Sequence, residues 1–299
     1  VIPVVWHQEW IDDTKPGEHR YAFWDQTLIA DLLHGKLWRP VDALEYRHVE
    51  TFGELDGASG AVVVVPARHH GGGALLDSLK GHLDRLDWAV VILTGDEETA
   101  FPWRAIRRIN RRVWVQTPTP VHHTDAAYKL PNGYGPGTPE LVASPFMPQR
   151  NWCFAGQITH KLREEMAVAL RQRDDGMLVE TAGFTQGLDR PEYIEALMTS
   201  KVALCPSGPV HPDTFRLYEA LEAGCLPIVD RGYVPWDFWQ FTYGDVPFPV
   251  VNDWSDTDAV IDAALRDWPS NATRASAWWQ AQKREMAYTL DRHVREVSE

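Results

Sequence analysis

The chain is poor in cysteine, in basic charge and in long apolar runs. Only Cys153, Cys205 and Cys225 occur among 299 residues. So small and odd a number excludes a disulfide framework and suits reduced, packed thiols, hence a cytoplasmic setting. No apolar run approaches the length of a membrane helix. The opening VIPVVWHQEW lacks a basic segment ahead of a long apolar stretch, so it reads as a first strand and not as a secretion signal. Asn271-Ala272-Thr273 fits a glycosylation sequon, but without secretion it carries no weight. Lys and Arg number 29 against 42 Asp and Glu, a formal net charge of −13. That balance argues against broad, non-specific nucleic-acid binding, although a local basic face remains compatible with it. Internal repeats and low-complexity tracts are also missing.

What is present is material for two ordinary domains. Hydrophobic residues make up 44% of the chain, enough for sizeable cores, and charged residues 24%, enough to keep it soluble. Fourteen tryptophans are many for this length, and sugar-handling proteins use such faces because a pyranose ring packs well on them. Apolar runs alternate with helical patterns. Val4-Val5-Trp6 is strand-like and Tyr21 to Leu33 has helical spacing. AVVVVPA (61–67), WAVVILT (88–94) and RRVWVQT (111–117) read as buried strands, with the helix ALLDSLKGHLDRL after the first of them. Continuous apolar strands between helices predict parallel sheets covered on both faces.

The Pro- and Gly-rich stretch 117–148 is the best linker candidate. After it the alternation restarts with NWCFAGQ, HKLREEMAVALRQR, GMLVETAG, a helix opened near Pro191, VALCPSG and finally a long helix from Ala272. In such sheets ligands lie beyond the carboxyl ends of the strands, so every loop that follows a strand is a candidate site.

One helix carries a question. HPDTFRLYEALEAGCLPIVD (211–230) has a broad apolar face, a cap at Asp213 or Thr214, and Gly224 where a left-handed C-terminal cap belongs. Yet Arg216 and Glu219 sit near its start, three residues apart and on one side. They could be an ordinary ion pair. They could also be a phosphate clamp and a hydroxyl acceptor for a nucleotide.

FAGQITHKLREEM, YIEALMTSKVALCPSG and DTFRLYEALEAGCLPIVD together resemble the nucleotide-binding half of a two-domain GT-B glycosyltransferase of the exostosin-like family. The signature is Thr214, Arg216, Glu219 and then Gly224-Cys225-Leu226-Pro227, and the likeness spans roughly 152–230. It implies an α/β fold of two Rossmann-like domains with parallel sheets facing a cleft. An acceptor domain would span 1–147 and a donor domain 148–275, with the helix 276–299 packing back on the first. It implies inverting transfer from a nucleotide-diphosphate sugar, UDP favoured, to an acceptor hydroxyl. Residue chemistry agrees. The helix N-terminus and Thr214 favour a diphosphate, Arg216 can fork onto phosphate oxygens, and Glu219 can accept from ribose hydroxyls. Ser207 and Gly208 let their loop approach closely, and Gly156 with Lys161 and Arg163 forms a second anion-facing loop.

Inversion needs a general base. Asp96 and Glu97 follow an apolar strand, and Glu9 follows the first one. His69 and His70 follow another. WRAIRRINRR (103–112) concentrates five arginines, with Arg104, Arg107, Arg108 and Arg111 on one side of an expected helix. That face is either solvated surface or, with His69 and His70, a place for an anionic acceptor: glycan, protein or nucleic acid. No metal is expected. Asp256-Thr257-Asp258 has a D-x-D form but opens a helix, and the paired histidines lack partners at ligand spacing. Two other readings stay open: an epimerase or hydrolase acting on a nucleotide-sugar, and a non-catalytic nucleotide- or carbohydrate-binding module.

Overall fold

The computed structural model describes residues 1–6, 27–34, 42–49, 51–66, 73–96, 101–120, 127–138, 147–183 and 186–299. It is a mixed α/β protein with two parallel sheets, of six and five strands among the described residues. The chain forms two compact units. The first contains Val1–Asn132 and Gln282–Glu299, and the second contains Gly133–Ala281.

In the first unit the strands are β1 (Ile2–Trp6), β2 (Tyr46–Val49), β3 (Gly60–Pro66), β4 (Trp88–Thr94), β5 (Arg111–Gln116) and β6 (Ala127–Leu130). Their order is β2-β1-β3-β4-β5-β6, with every pair parallel. The valine and isoleucine runs of β3 and β4 are buried on both faces, as the absence of alternation predicts. Residues 27–34 form helix α1 and Gly73–Leu83 form α2. Val63, Val91 and Val115 meet Leu79, Leu83 and Trp103 in one core.

Two expectations change here. The 117–148 stretch is not only connection, because it contributes β6, which pairs with β5 from Val113↔Ala127 to Gln116↔Leu130. Nor do Arg104, Arg107, Arg108 and Arg111 share a helix. Only Trp103–Ile106 of this stretch is helical, as a 3₁₀ segment, and Arg107 is already extended. The reason is the sheet. Val113, Trp114 and Val115 pair with β4, so the strand claims the chain from Arg111 and leaves room for one turn. Burial of Trp103 and Ile106 fixes that turn.

The second unit holds β7 (Arg150–Gly156), β8 (Gly176–Glu180), β9 (Ser200–Cys205), β10 (Leu226–Asp230) and β11 (Val250–Val251), in the order β11-β10-β9-β7-β8. Its helices are α3 (Lys161–Leu170), α4 (Arg190–Met198), α5 (Phe215–Glu222), α6 (Phe238–Tyr243) and α7 (Thr257–Arg266). A capping box between Asp189 and Glu192 starts α4, with Pro191 in its first turn. Gly224 ends α5 at φ 73°, a backbone conformation that favours glycine. The final helix α8 (Trp268–Ser298) starts in the second unit and ends in the first. The three cysteines are buried and free.

Both sheets repeat one packing device. Gly60 faces Trp88 across β3 and β4, and Gly176 faces Trp152 across β8 and β7. A Cβ at either glycine would lie 2.2 Å from the indole, so each ring rests on bare backbone.

The end of α8 gives the first unit a pH dependence. Trp114 Nε1 donates to His293 Nδ1 at 3.1 Å. Burial, opposed by Glu296 and aided by Arg292 and Arg112, lowers the His293 pKa from 6.5 to about 4. An unfolded chain therefore takes up a proton below pH 6.5 that the folded chain resists until about 4. Stability attributable to this group is intact above 6.5 and falls across that window, by roughly 2 kcal/mol after allowance for partial exposure. His293→Gln keeps an acceptor for Trp114 and should flatten the profile. Urea unfolding at several pH values from 7 to 4 checks this, and superimposable profiles for parent and variant would refute it.

Candidate functional site

The second sheet changes direction at its centre. From β7 the chain first adds β8 on one side, then crosses to place β9 on the other. Such a switch opens a crevice beyond the strand ends. Gly156 ends β7, Cys205 ends β9 and Asp230 ends β10. Loops 157–160, 206–214 and 231–237 leave from those ends.

Arg216, in the first turn of α5, reaches across to β7. Its Nη2 donates to Ala155 O at 3.0 Å and its guanidinium lies 4.8 Å from the Phe154 ring centroid. A Cβ at Gly156 would stand 2.3 Å from Nη2, so this glycine is required by close approach. Arg163, on α3, is 8% exposed. Its Nε donates to Ser207 O and its Nη1 to Gln157 O, each at 3.0 Å. Burial first, then the neighbouring Arg216, depresses its pKa to about 9, opposed only by Asp230. Two guanidiniums thus share one region with one buried carboxylate.

That carboxylate holds the loop after β9. Asp230 accepts from Ser207 N at 3.0 Å, from Trp254 Nε1 at 2.7 Å and from Gly232 N at 2.7 Å. His160 Nε2 meets Ser207 O at 2.9 Å, and Gly208 N donates to His211 O at 2.9 Å. Buried polar atoms on these elements without a partner among the described residues include Ser207 Oγ, Thr214 Oγ1, His160 Nδ1, Arg216 Nε and Trp236 Nε1. Buried polar groups are normally satisfied, so a group of exceptions beside two guanidiniums singles out this crevice as the candidate site.

Several expected residues behave differently. Thr214 is the N-cap of α5, but its side chain makes no capping bond. Asp213 accepts instead from Tyr218 Oη, which also meets Tyr243 Oη. Arg216 and Glu219 do not pair with each other. Glu219 is 2% exposed, and its Oε1 accepts from Gly135 N at 3.1 Å and from Arg190 Nη1 at 2.7 Å. Arg190 also reaches Pro136 O and Thr138 Oγ1. The Glu219 carboxylate therefore ties segment 135–138 to α5. Lys161 is exposed and pairs with Glu165 at 3.4 Å.

In the first unit Asp96 is 4% exposed and its Oδ2 accepts from Phe101 N at 3.0 Å. Glu97, Glu9, His69 and His70 lie outside the described residues. Arg111 is buried, donating to Leu83 O at 2.8 Å and Asp84 Oδ1 at 2.8 Å. Arg104, Arg107 and Arg108 are exposed. Asp256 is the N-cap of α7 without a side-chain bond, and Asp258 pairs with Arg173 at 3.2 Å. The described residues contain no group of three or more His, Cys, Asp or Glu placed to hold a metal ion, and no helix long and apolar enough to cross a membrane.

No curated protein matches this chain. Residues 157–296, which carry Arg163, Ser207, Thr214, Arg216 and Asp230, are similar to the RXYLT1 C-terminal domain. That domain defines a xylosyltransferase family of exostosin-like glycosyltransferases, so the likeness supports a glycosyltransferase.

Proposed function

We propose that this chain transfers a sugar from a nucleotide-diphosphate donor to an acceptor hydroxyl, with the donor at the crevice of the second sheet. The observation that carries the reading is the excess of positive charge there, Arg163 beside Arg216, next to buried hydroxyls that lack partners. A diphosphate supplies both the charge and the acceptor oxygens. Arg216 neutralises the charge that develops on the leaving nucleotide. Ser207, Thr214 and the amino-terminal end of α5 take phosphate oxygens. Asp230 and Arg163 keep the Ser207 loop in place. The C1–oxygen bond to the diphosphate breaks, a bond from C1 to the acceptor oxygen forms, and the hydroxyl proton passes to a general base. In this reading the arrangement is of the GT-B type, the first unit holds the acceptor and supplies that base, inversion follows, and no metal is required. UDP is the favoured nucleotide because the family resemblance favours it.

Thermal unfolding with a panel of nucleoside diphosphates, with and without Mg²⁺, tests the donor site. A ligand at a hundred times its dissociation constant stabilises by about 2.7 kcal/mol. A shift is expected with UDP, unchanged by Mg²⁺ and reduced in the double variant Ser207→Ala, Thr214→Val. If no nucleotide shifts the transition, the donor assignment is wrong. Donor consumption without any acceptor would instead assign the site to a hydrolase.

A further inference from the structure

The first unit has a pocket of about 790 Å³ beside the arginine-rich segment that precedes β5. It lies where the 107–110 turn enters β5, at the amino-terminal end of that strand. Parallel sheets place their reaction crevices at the opposite, carboxyl edge. Four arginines line it, Arg107, Arg108, Arg111 and Arg112, against one lining carboxylate, Glu296. The nearby carboxylates are already shared. Asp84 serves Arg111 at 2.8 Å and Arg108 at 3.6 Å, while Glu296 serves Arg112 at 3.4 Å and Arg292 at 3.8 Å. Arg107 pairs with no carboxylate among the described residues. Five guanidiniums thus stand against two carboxylates.

The remaining wall is not charged. Val113 and Tyr128 line it, with His293 beside them, and Ile109 stands at its lip 97% exposed. Trp114 Nε1 can only donate, so His293 Nδ1 is the acceptor and the neutral ring carries its hydrogen on Nε2. That leaves one more donor on a pocket-lining side chain. A cavity of this size, with clustered cations over an apolar floor, fits a small molecule with a charged head and a ring.

We propose that this pocket binds a small organic oxyanion, its phosphate or carboxylate held by Arg107 and Arg112 and its ring lying on Tyr128, at a site separate from sugar transfer. Calorimetric titration of the full chain with phenyl phosphate and, separately, benzoate tests it and tells the two head groups apart. Saturable binding of at least one probe at millimolar concentration or below is expected. The double variant Arg107→Ser, Arg112→Ser should weaken it at least tenfold, whereas Arg216→Ala in the other unit should leave it unchanged. Should the double variant fail to fold, Arg107→Ser alone, at an exposed position, should still weaken binding severalfold. Absence of binding by both probes overturns the proposal. So does binding that survives loss of Arg107 and Arg112, or that depends on Arg216.

Discussion

Arg216→Ala should lower turnover at saturating donor by about 10²–10³-fold, the usual cost of removing one preorganised group that meets charge developing in a transition state. The protein should stay folded. The substitution removes a hydrogen bond to Ala155 O and the contact with Phe154. It also relieves Arg163 of a like-charged neighbour that helps depress its pKa. These effects oppose one another, so the expected stability change is within about 1 kcal/mol. Arg216→Lys keeps the charge and loses the fork, and should fall between parent and Ala variant. Initial rates with saturating donor, read beside an unfolding curve, separate the two effects. Turnover near the parent value in a folded Ala variant would remove Arg216 from the chemistry.

Asp230→Ala should have the opposite signature, a large loss of stability. Asp230 is wholly buried and receives N–H groups from Ser207, Gly232 and Trp254. Removing it strands three donors and leaves Arg163 without the carboxylate that offsets its burial. A loss of about 3–5 kcal/mol is expected in urea unfolding. Asp230→Asn keeps the shape but turns an amide N–H toward donors, so it should recover only part of that loss. A loss under about 1 kcal/mol for the Ala variant would mean that the loop after β9 is held by something else.

The contrast between these two residues shows what the sequence reveals. Arg216 is legible because a charge stands out on an otherwise apolar helix, at a position where the strand–helix alternation puts a loop. The strands β1, β3, β4, β5 and β7 to β10 are legible from their apolar runs, whereas β2 (YRHV), β6 (AYKL) and the two-residue β11 carry too little apolar pattern to stand out. Asp230 is the last letter of LPIVD, visible as an acid that ends a buried strand. Nothing in its neighbours in sequence tells that Ser207, 23 residues away, is its partner. Glu219 is instructive in the same way. Its spacing from Arg216 suggests a pair, but the tertiary fold brings Arg190 and Gly135 to it instead. The arginines of 103–112 mislead because helical spacing over so short a stretch yields to the strand pairing of β5. Local pattern sets elements and exposes odd charges, while partners across sheet edges are decided by topology.

The discontinuity of the first unit bears on how the protein is made. Leu44 N and Tyr46 Oη donate to Asp291 at 2.9 and 2.7 Å, and Trp114 donates to His293. On the ribosome these early residues emerge long before their acceptors. The segment 133–281 of the second unit, by contrast, emerges as one uninterrupted piece. At typical elongation rates the gap is on the order of ten seconds. The half synthesised first is therefore the half completed last. A chain that ends between Ala281 and Asp291 would carry the whole second unit beside an unfinished first one, which is the state that chaperones and proteases would meet.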